Sequence, residues 1–281
     1  MVRGLCWSLV AVVVVGLACE TVWAVPPNYG TAPPTPRGDA ILGGIYSVSL
    51  RMARAGKAPV NVVDLDGTLF ETGSRHKRIM LEFGLRHRRR FPGLADAVRA
   101  WVPMEQPYLV EDTFDGLGLT READRKAAKQ FWKDRFFTNE YLEADGPLPG
   151  AVRYVKALHR AGSTIVYLTG RKTSQQGPGS LKVLAMNGFP VPPERCALLM
   201  NPRTSLHDTT YKGSREVHDQ IAAFGEVVGI FDNEPGNVNV LQRSFPDAMT
   251  VYLDTDHSPD APPVDTGIPW IRNFRWSALE R

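Results

Sequence analysis

The chain has 281 residues, 43% hydrophobic and 22% charged, which excludes a disordered or collagen-like polymer and allows one large domain or a core carrying an insertion. A formal net charge of +3 does not by itself argue for a nucleic-acid or membrane-surface partner. Cys6, Cys19 and Cys196 are its three cysteines, and their spacing excludes a disulfide framework and matches no zinc or redox pattern.

Residues 1–24 read as a signal peptide. Arg3 precedes an apolar run over residues 4–18, shorter than the ~20 residues a membrane span needs. Val22 and Ala24 occupy the positions a signal peptidase reads. Cleavage after Ala24 would start the mature chain at Val25, in the periplasm or outside the cell, with no membrane span in the mature chain. An uncleaved anchor and lipidation at Cys19 are the alternatives, and each also exports the domain.

Pro26, Pro27, Pro33, Pro34 and Pro36 make residues 25–37 an expected extended or disordered linker without fold. Ile41, Ile45, Val48, Leu50 and Met52 then suggest a short helical or mixed packing segment before the first clear strand, Val60–Val63. From residue 71 to 146 charged helical patterns replace strands. Within them Thr120 is placed to cap a helix whose apolar stripe runs through Ala123, Ala127, Phe131 and Phe136, aromatics best read as core. Seven basic residues, Arg75, Lys77, Arg78, Arg86, Arg88, Arg89 and Arg90, read first as a solvated helix face. The other reading is recognition of a second anionic group on a nucleotide, a polynucleotide end or a phosphorylated sugar.

From Pro147 helices and strands alternate: a helix near Ala151–Arg160, strand Thr164–Leu168, a helix near Ser180–Asn187 and strand Cys196–Met200. A helix near Tyr211–Phe224, strand Val227–Phe231, a helix after Pro235 and strand Met249–Leu253 follow. That alternation predicts an α/β fold with a parallel sheet, in which ligands bind at the carboxyl ends of the strands. Cys196, in a strand, reads as packing.

The residues leaving the first strand are Asp64-Leu65-Asp66-Gly67-Thr68, a string that arises by chance in only about 0.5% of chains of this composition. Two carboxylates two residues apart can face one small site, one attacking while the other exchanges protons. Thr169-Gly170 follow strand Thr164–Leu168, Lys212 opens the helix before strand Val227–Phe231, and Asp232-Asn233-Glu234 follow that strand. The six histidines fall in no metal-ligand spacing.

Over roughly residues 58–256 these strings together resemble the haloacid dehalogenase (HAD) superfamily of hydrolases. The resemblance implies a Rossmann-like core over 38–70 and 147–281, with residues 71–146 as a helical cap of the C1 type. It implies that Asp64 attacks phosphorus to give an aspartyl-phosphate and that Asp66 serves as acid and then base. Thr169, Gly170 and Lys212 would hold the phosphoryl oxygens, and Mg²⁺ would sit on Asp64, the backbone carbonyl of Asp66 and Asp232. The superfamily's frequent second aspartate of the last motif is replaced by Gly236 and Asn237, leaving Glu234 or Asn237 to complete the outer metal shell. Asp66 points within the superfamily to phosphatases rather than dehalogenases, because an alkoxide leaving group must be protonated. The expected protein is an exported Mg²⁺-dependent phosphomonoesterase acting on a small phosphorylated substrate. A nucleotidase or polynucleotide 3′-phosphatase, acting at a nucleic-acid end, is the alternative within that class. A non-catalytic phosphate-binding or cell-surface interaction protein on the same fold is the alternative outside it. Oligomeric state is not written in these residues.

Overall fold

The computed structural model describes residues 29–280; the expected signal peptide, its cleavage site, Cys6 and Cys19 lie outside the described residues. Helix α1 (Pro36–Arg54) leads into β1 (Pro59–Val63). The chain then crosses β2 (Phe70–Glu71) into a helical excursion, α2 (Gly73–Arg86), α3 (Leu94–Arg99) and α4 (Glu122–Phe136), which returns through β3 (Gly146–Pro147). The rest alternates: α5 (Ala151–Arg160), β4 (Thr164–Lys172), α6 (Thr173–Met186), β5 (Cys196–Asn201), α7 (Asp208–Lys212) and α8 (Arg215–Ala222). It ends with β6 (Glu226–Asp232), α9 (Pro235–Ser244), β7 (Met249–Leu253), β8 (Trp270–Ile271) and α10 (Ser277–Glu280).

The six-stranded sheet has the order β5-β4-β1-β6-β7-β8 and is parallel at every pairing, the α/β architecture that the alternation predicts. Strand β1 is Val-rich and buried along its whole length, as a parallel strand must be when helices cover both faces of the sheet. On one face Leu42 and Ile45 of α1 and Tyr154, Val155 and Leu158 of α5 pack on Val63, Ile165, Tyr167 and Phe231. On the other, Val217 and Ile221 of α8 and Leu241 of α9 pack on Val60, Val62, Val166 and Ile230. Each such fully buried side chain contributes roughly 1.5–3 kcal/mol. Asn61, wholly buried mid-strand, donates through Nδ2 to Ser49 Oγ and Ser163 Oγ, both at 3.0 Å, and so ties α1 to the sheet.

The chain winds from β1 outward to β4 and β5, then crosses to β6 and β7 on the other side. A crevice therefore opens at the carboxyl end of β1, between β4 and β6. Over it stands the helical excursion, whose own core gathers Met80, Phe83, Leu94, Val98, Val110 and Phe114. Its root is the antiparallel ribbon of β2 and β3, with Phe70 opposite Pro147 and Glu71 opposite Gly146. Among the described residues no helix is long and apolar enough to cross a membrane.

Several local expectations are corrected. Residues 29–37 are not a tether: Tyr29 is buried in the main core, and Asn273 Nδ2 donates to the carbonyls of Tyr29 (3.0 Å) and Ala32 (2.9 Å). Thr35 Oγ1 accepts from Gly38 N (3.0 Å) with Pro36 at the first helical position, so the last proline is a helix start rather than linker material. From there α1 runs unbroken for 19 residues.

Thr120 does not cap α4; Arg121 holds that position without a side-chain cap, and its Nε donates to Asp124 Oδ2 (2.8 Å) in the first turn. The buried positions of α4 are Asp124 and Ala128 while Ala123 and Ala127 are exposed, so the predicted stripe is rotated. The expected helix over 211–224 is two helices, because Ser214 Oγ accepts from Val217 N (3.3 Å) and starts a new one. Lys212 accordingly closes α7 instead of opening a helix.

Candidate active site

Backbone hydrogen bonding carries the strand geometry one residue past β1, with Asp64 N donating to Phe231 O (2.9 Å). The chain then turns sharply, the Leu65 carbonyl accepting from Leu69 N and Phe70 N, both at 2.9 Å. Gly67 makes that turn possible. Its φ is +72°, and a Cβ there would stand 2.0 Å from Asn233 Nδ2, so a side chain would meet both strain and collision. Thr68 Oγ1 donates to Asn233 Oδ1 (3.2 Å) and Thr255 Oγ1 to Gly67 O (2.6 Å), clasping the turn to the loops after β6 and β7.

Two charged clusters result. In the first, Lys212 Nζ donates to Asp64 Oδ1 (2.6 Å) and Asp232 Oδ2 (2.7 Å), with all three residues buried. Asp232 Oδ1 accepts from Glu234 N (2.9 Å) and Asn237 Nδ2 (3.3 Å), and Asn237 Oδ1 accepts from Thr209 Oγ1 (2.9 Å). Burial, with Asp232 alongside, pushes the Asp64 carboxyl up to about 7 against the pull of Lys212. Burial works against the Lys212 ammonium, but the two carboxylates outweigh it and hold its pKa above the ordinary lysine value.

Two carboxylates against one ammonium leave one buried negative charge without compensation. That surplus, on hard oxygen donors, fits a Mg²⁺-like cation that keeps several of its waters. Among the described residues no group of three or more His, Cys, Asp or Glu side chains is arranged to hold a metal, so water and backbone oxygens would supply the remaining ligands. Asn237 touches Asp232, whereas the Glu234 carboxylate is engaged by Ser258 Oγ (2.6 Å) and Ser258 N (3.1 Å).

The second cluster surrounds Asp66. Arg171 grips it with Nε on Oδ2 (2.7 Å) and Nη2 on Oδ1 (2.8 Å), while Arg75 Nη2 donates to Oδ1 (2.6 Å). Asp145 closes the network, taking Arg75 Nε (2.8 Å) and Arg171 Nη2 (2.8 Å) and pairing also with Arg75 Nη2. Burial disfavours the Asp66 carboxylate, but Arg171 and then Arg75 overcome it and hold its pKa well below the usual carboxylate range. Arg75 is therefore no part of a solvated face: its side chain is 1% exposed. Lys77 is half-buried with Nζ on Trp101 O (2.6 Å), and the remaining basic residues are exposed, Arg86 pairing with Glu82 (2.6 Å).

Because Arg75 stands on α2 and Asp145 just before β3, this network joins the helical excursion to the sheet. Asp145→Ala would leave two buried guanidinium groups facing Asp66 alone, and removing one partner of such a set costs ~3–5 kcal/mol. Urea unfolding is expected to register that loss; one below about 1 kcal/mol would show that the network does not hold the two layers together.

Of the other predicted residues, Thr169 is buried and accepts from Arg171 N at Oγ1 (3.2 Å). Gly170 sits so close to Asp208 that a Cβ would lie 2.1 Å from Oδ2. Both fall where the β4–β5 register shifts, the kind of irregularity that re-aims side chains beside active sites. Asp64, Asp66, Thr169, Gly170, Lys212, Glu234 and Asn237 all line one cleft of about 670 Å³, within the ~300–1,000 Å³ of small-molecule sites. Asp232 stands behind it on Lys212.

Arg75, Arg171, Asp145 and Asn233 were missed as site residues. Arg171 had a signal, since it follows Thr169-Gly170 directly; Asp145 had none, its partner Arg75 lying 70 residues away. Asp256 was missed as well. It lines the cleft, its Oδ1 has no hydrogen-bond partner, and burial pushes its carboxyl up to about 6.

No protein-family model matches the chain, and no curated protein matches it in sequence. Among solved structures it is similar to a HAD-superfamily hydrolase of subfamily IA from Geobacter sulfurreducens, at 13% identity and a TM-score of 0.44 over 78% of this chain and 93% of that one. A HAD-superfamily hydrolase from Ehrlichia chaffeensis matches at 11% identity and a TM-score of 0.42, over 78% of this chain and 93% of that one. The class C acid phosphatase from Bacillus anthracis matches at 18% identity and a TM-score of 0.37, over 73% of this chain and 66% of that one.

Proposed function

We propose that the chain is a phosphomonoesterase that works through an aspartyl-phosphate on Asp64. One observation carries the reading: Asp64 and Lys212 meet at 2.6 Å in the cleft that Asp66 also lines, with Asp232 behind them 2.7 Å from Lys212. Asp64 is the carboxylate to attack, since its Oδ1 is fixed by Lys212 while its pKa is raised. The Asp64 oxygen forms a bond to phosphorus as the phosphorus–alkoxide bond breaks, and the departing oxygen takes a proton from the protonated form of Asp66, a minor form because Arg171 and Arg75 favour the carboxylate. Water then cleaves the acyl phosphate, and Asp66 receives the proton that water gives up.

Lys212, Thr169 and the backbone N–H of Gly170 would hold the phosphoryl oxygens in a water-poor site. A Mg²⁺ held by Asp64, Asp232 and the Asp66 carbonyl would offset the negative charge gathering on those oxygens. Export, with cleavage after Ala24, remains part of the proposal on the strength of residues 1–24 alone.

The test is release of inorganic phosphate from a panel of monoesters by the mature chain. Release is expected with Mg²⁺, loss with EDTA, and recovery on adding Mg²⁺ back. Tight phosphate binding without release from any ester would favour a binding protein and overturn the reading.

A further inference from the structure

The reading above leaves open what alcohol the phosphate is attached to, and the cleft's second wall bears on that. Helix α4 and the residue after it carry Trp132, Phe136 and Phe137, all lining the cleft together with Tyr108. Phe137 is 40% exposed and Tyr108 43%, while Trp132 and Phe136 are half-buried. The three rings of α4 and its end touch in series: Trp132 lies 4.5 Å from Phe136 at 28°, and Phe136 lies 5.1 Å from Phe137 at 79°. It is held from behind, Trp132 Nε1 donating to His76 Nδ1 (3.1 Å). Burial, and then Arg75, push the His76 pKa down to about 3, so that ring is neutral and free to accept.

This wall begins one guanidinium away from the acid–base carboxylate. Arg75 Nη2 donates to Asp66 Oδ1 (2.6 Å), Arg75 Nη1 donates to Phe136 O (3.3 Å), and the guanidinium lies 4.3 Å over the Phe136 ring. A leaving oxygen placed at Asp66 therefore puts the carbon skeleton of its alcohol against the rings.

Charge argues against a second anionic group there. Besides Lys212, assigned to the phosphoryl group, the cations among the described residues that line the cleft, Arg75, Lys129, Arg171 and Lys172, are each paired with a carboxylate. Of the seven basic residues between Arg75 and Arg90, Arg75 alone lines it. Among the described residues a polynucleotide end would find no unpaired cation on this wall, whereas a flat uncharged π-system would cover the rings of Tyr108 and Phe137, now open to water.

We infer that Tyr108 and Phe137, on the wall that Trp132 and Phe136 complete, form a stacking platform selecting phosphate monoesters whose alcohol carries a flat aromatic group. The inference rests on the phosphomonoesterase reading for the position of the phosphate, and is tested apart from turnover. AMP and ribose 5-phosphate share the same primary alcohol and differ by the base. In an Asp64→Asn background with Mg²⁺, calorimetry is expected to show AMP binding about 5- to 150-fold tighter, the range that stacking of one base gives. Adding Phe137→Ala and Tyr108→Ala should bring the ratio close to one, and Phe137→Trp should keep it; both positions are partly exposed, so folding should survive, as circular dichroism will report.

Equal affinity for the two ligands, or no binding of either, would overturn the platform. So would a concentration-dependent dimer lost in Phe137→Ala without any preference for AMP, which would make the wall a contact between two copies. Failure of the wild-type chain to hydrolyse ribose 5-phosphate, AMP or p-nitrophenyl phosphate would sink the phosphatase reading while leaving an AMP preference standing.

Discussion

Asp64→Asn is expected to abolish phosphate release from every ester, a loss of ~10⁴-fold or more, because covalent attack has no substitute in this cleft. The fold should tolerate the change. Burial and the neighbouring Asp232 already disfavour the charged form of Asp64, so a neutral amide relieves a cost. Lys212 keeps its 2.7 Å contact with Asp232. Inactivity at undiminished melting temperature is the expected pairing. In the active protein, rapid quenching should trap a phosphoryl group on the peptide containing Asp64. Activity of Asp64→Asn within tenfold of the parent would remove Asp64 from the chemistry.

Asp66→Asn is expected to lose ~10²- to 10⁴-fold with an alkyl phosphate, the usual worth of general acid–base catalysis. The loss should be smaller in the first step with p-nitrophenyl phosphate, whose leaving group is stable as an anion. Arg171 and Arg75 sharpen this contrast: by holding Asp66 ionised they make it a reluctant acid, so esters that need no proton to depart should already be the better substrates of the parent. Where hydrolysis of the intermediate then fails for want of a base, a burst of nitrophenol and a phosphorylated Asp64 peptide should appear. Equal losses for both esters, with no burst, would refute the role.

The same substitution carries a stability signature with a definite sign. The folded-state pKa of Asp66 lies below its unfolded value of ~3.9, so its contribution is fully present above that value, fades below it and is lost as pH falls through the folded-state pKa. The stability gap between the parent and Asp66→Asn should therefore narrow in acid.

The alternation of apolar runs with helical patterns was enough to predict the parallel sheet, because strands buried on both faces are largely apolar, as Val60, Val62 and Val63 are around the hydrogen-bonded Asn61. The Asp64-to-Thr68 string was legible for a similar reason: two carboxylates, a glycine with positive φ and a hydroxyl are all needed within one turn. Strand ends likewise announced Thr169, Gly170 and Asp232, since topology alone carries those positions to the crevice.

What sequence could not show is pairing across distance. Arg75 read as one more cation on a helix until Asp145, 70 residues on, and Asp66 took its donors. Arg171 meets Asp66 across 105 residues, and Asn273 ties Tyr29 to the core across 244. The rotation of α4, which leaves Phe131 against the core of the excursion but puts Phe136 on the cleft, was decided in the same way, with Asp124 turned inward and paired to Arg90 and Arg121. Local spacing sets which faces of a helix are alike in polarity; which face is buried depends on the charges and surfaces that the folded chain brings against it.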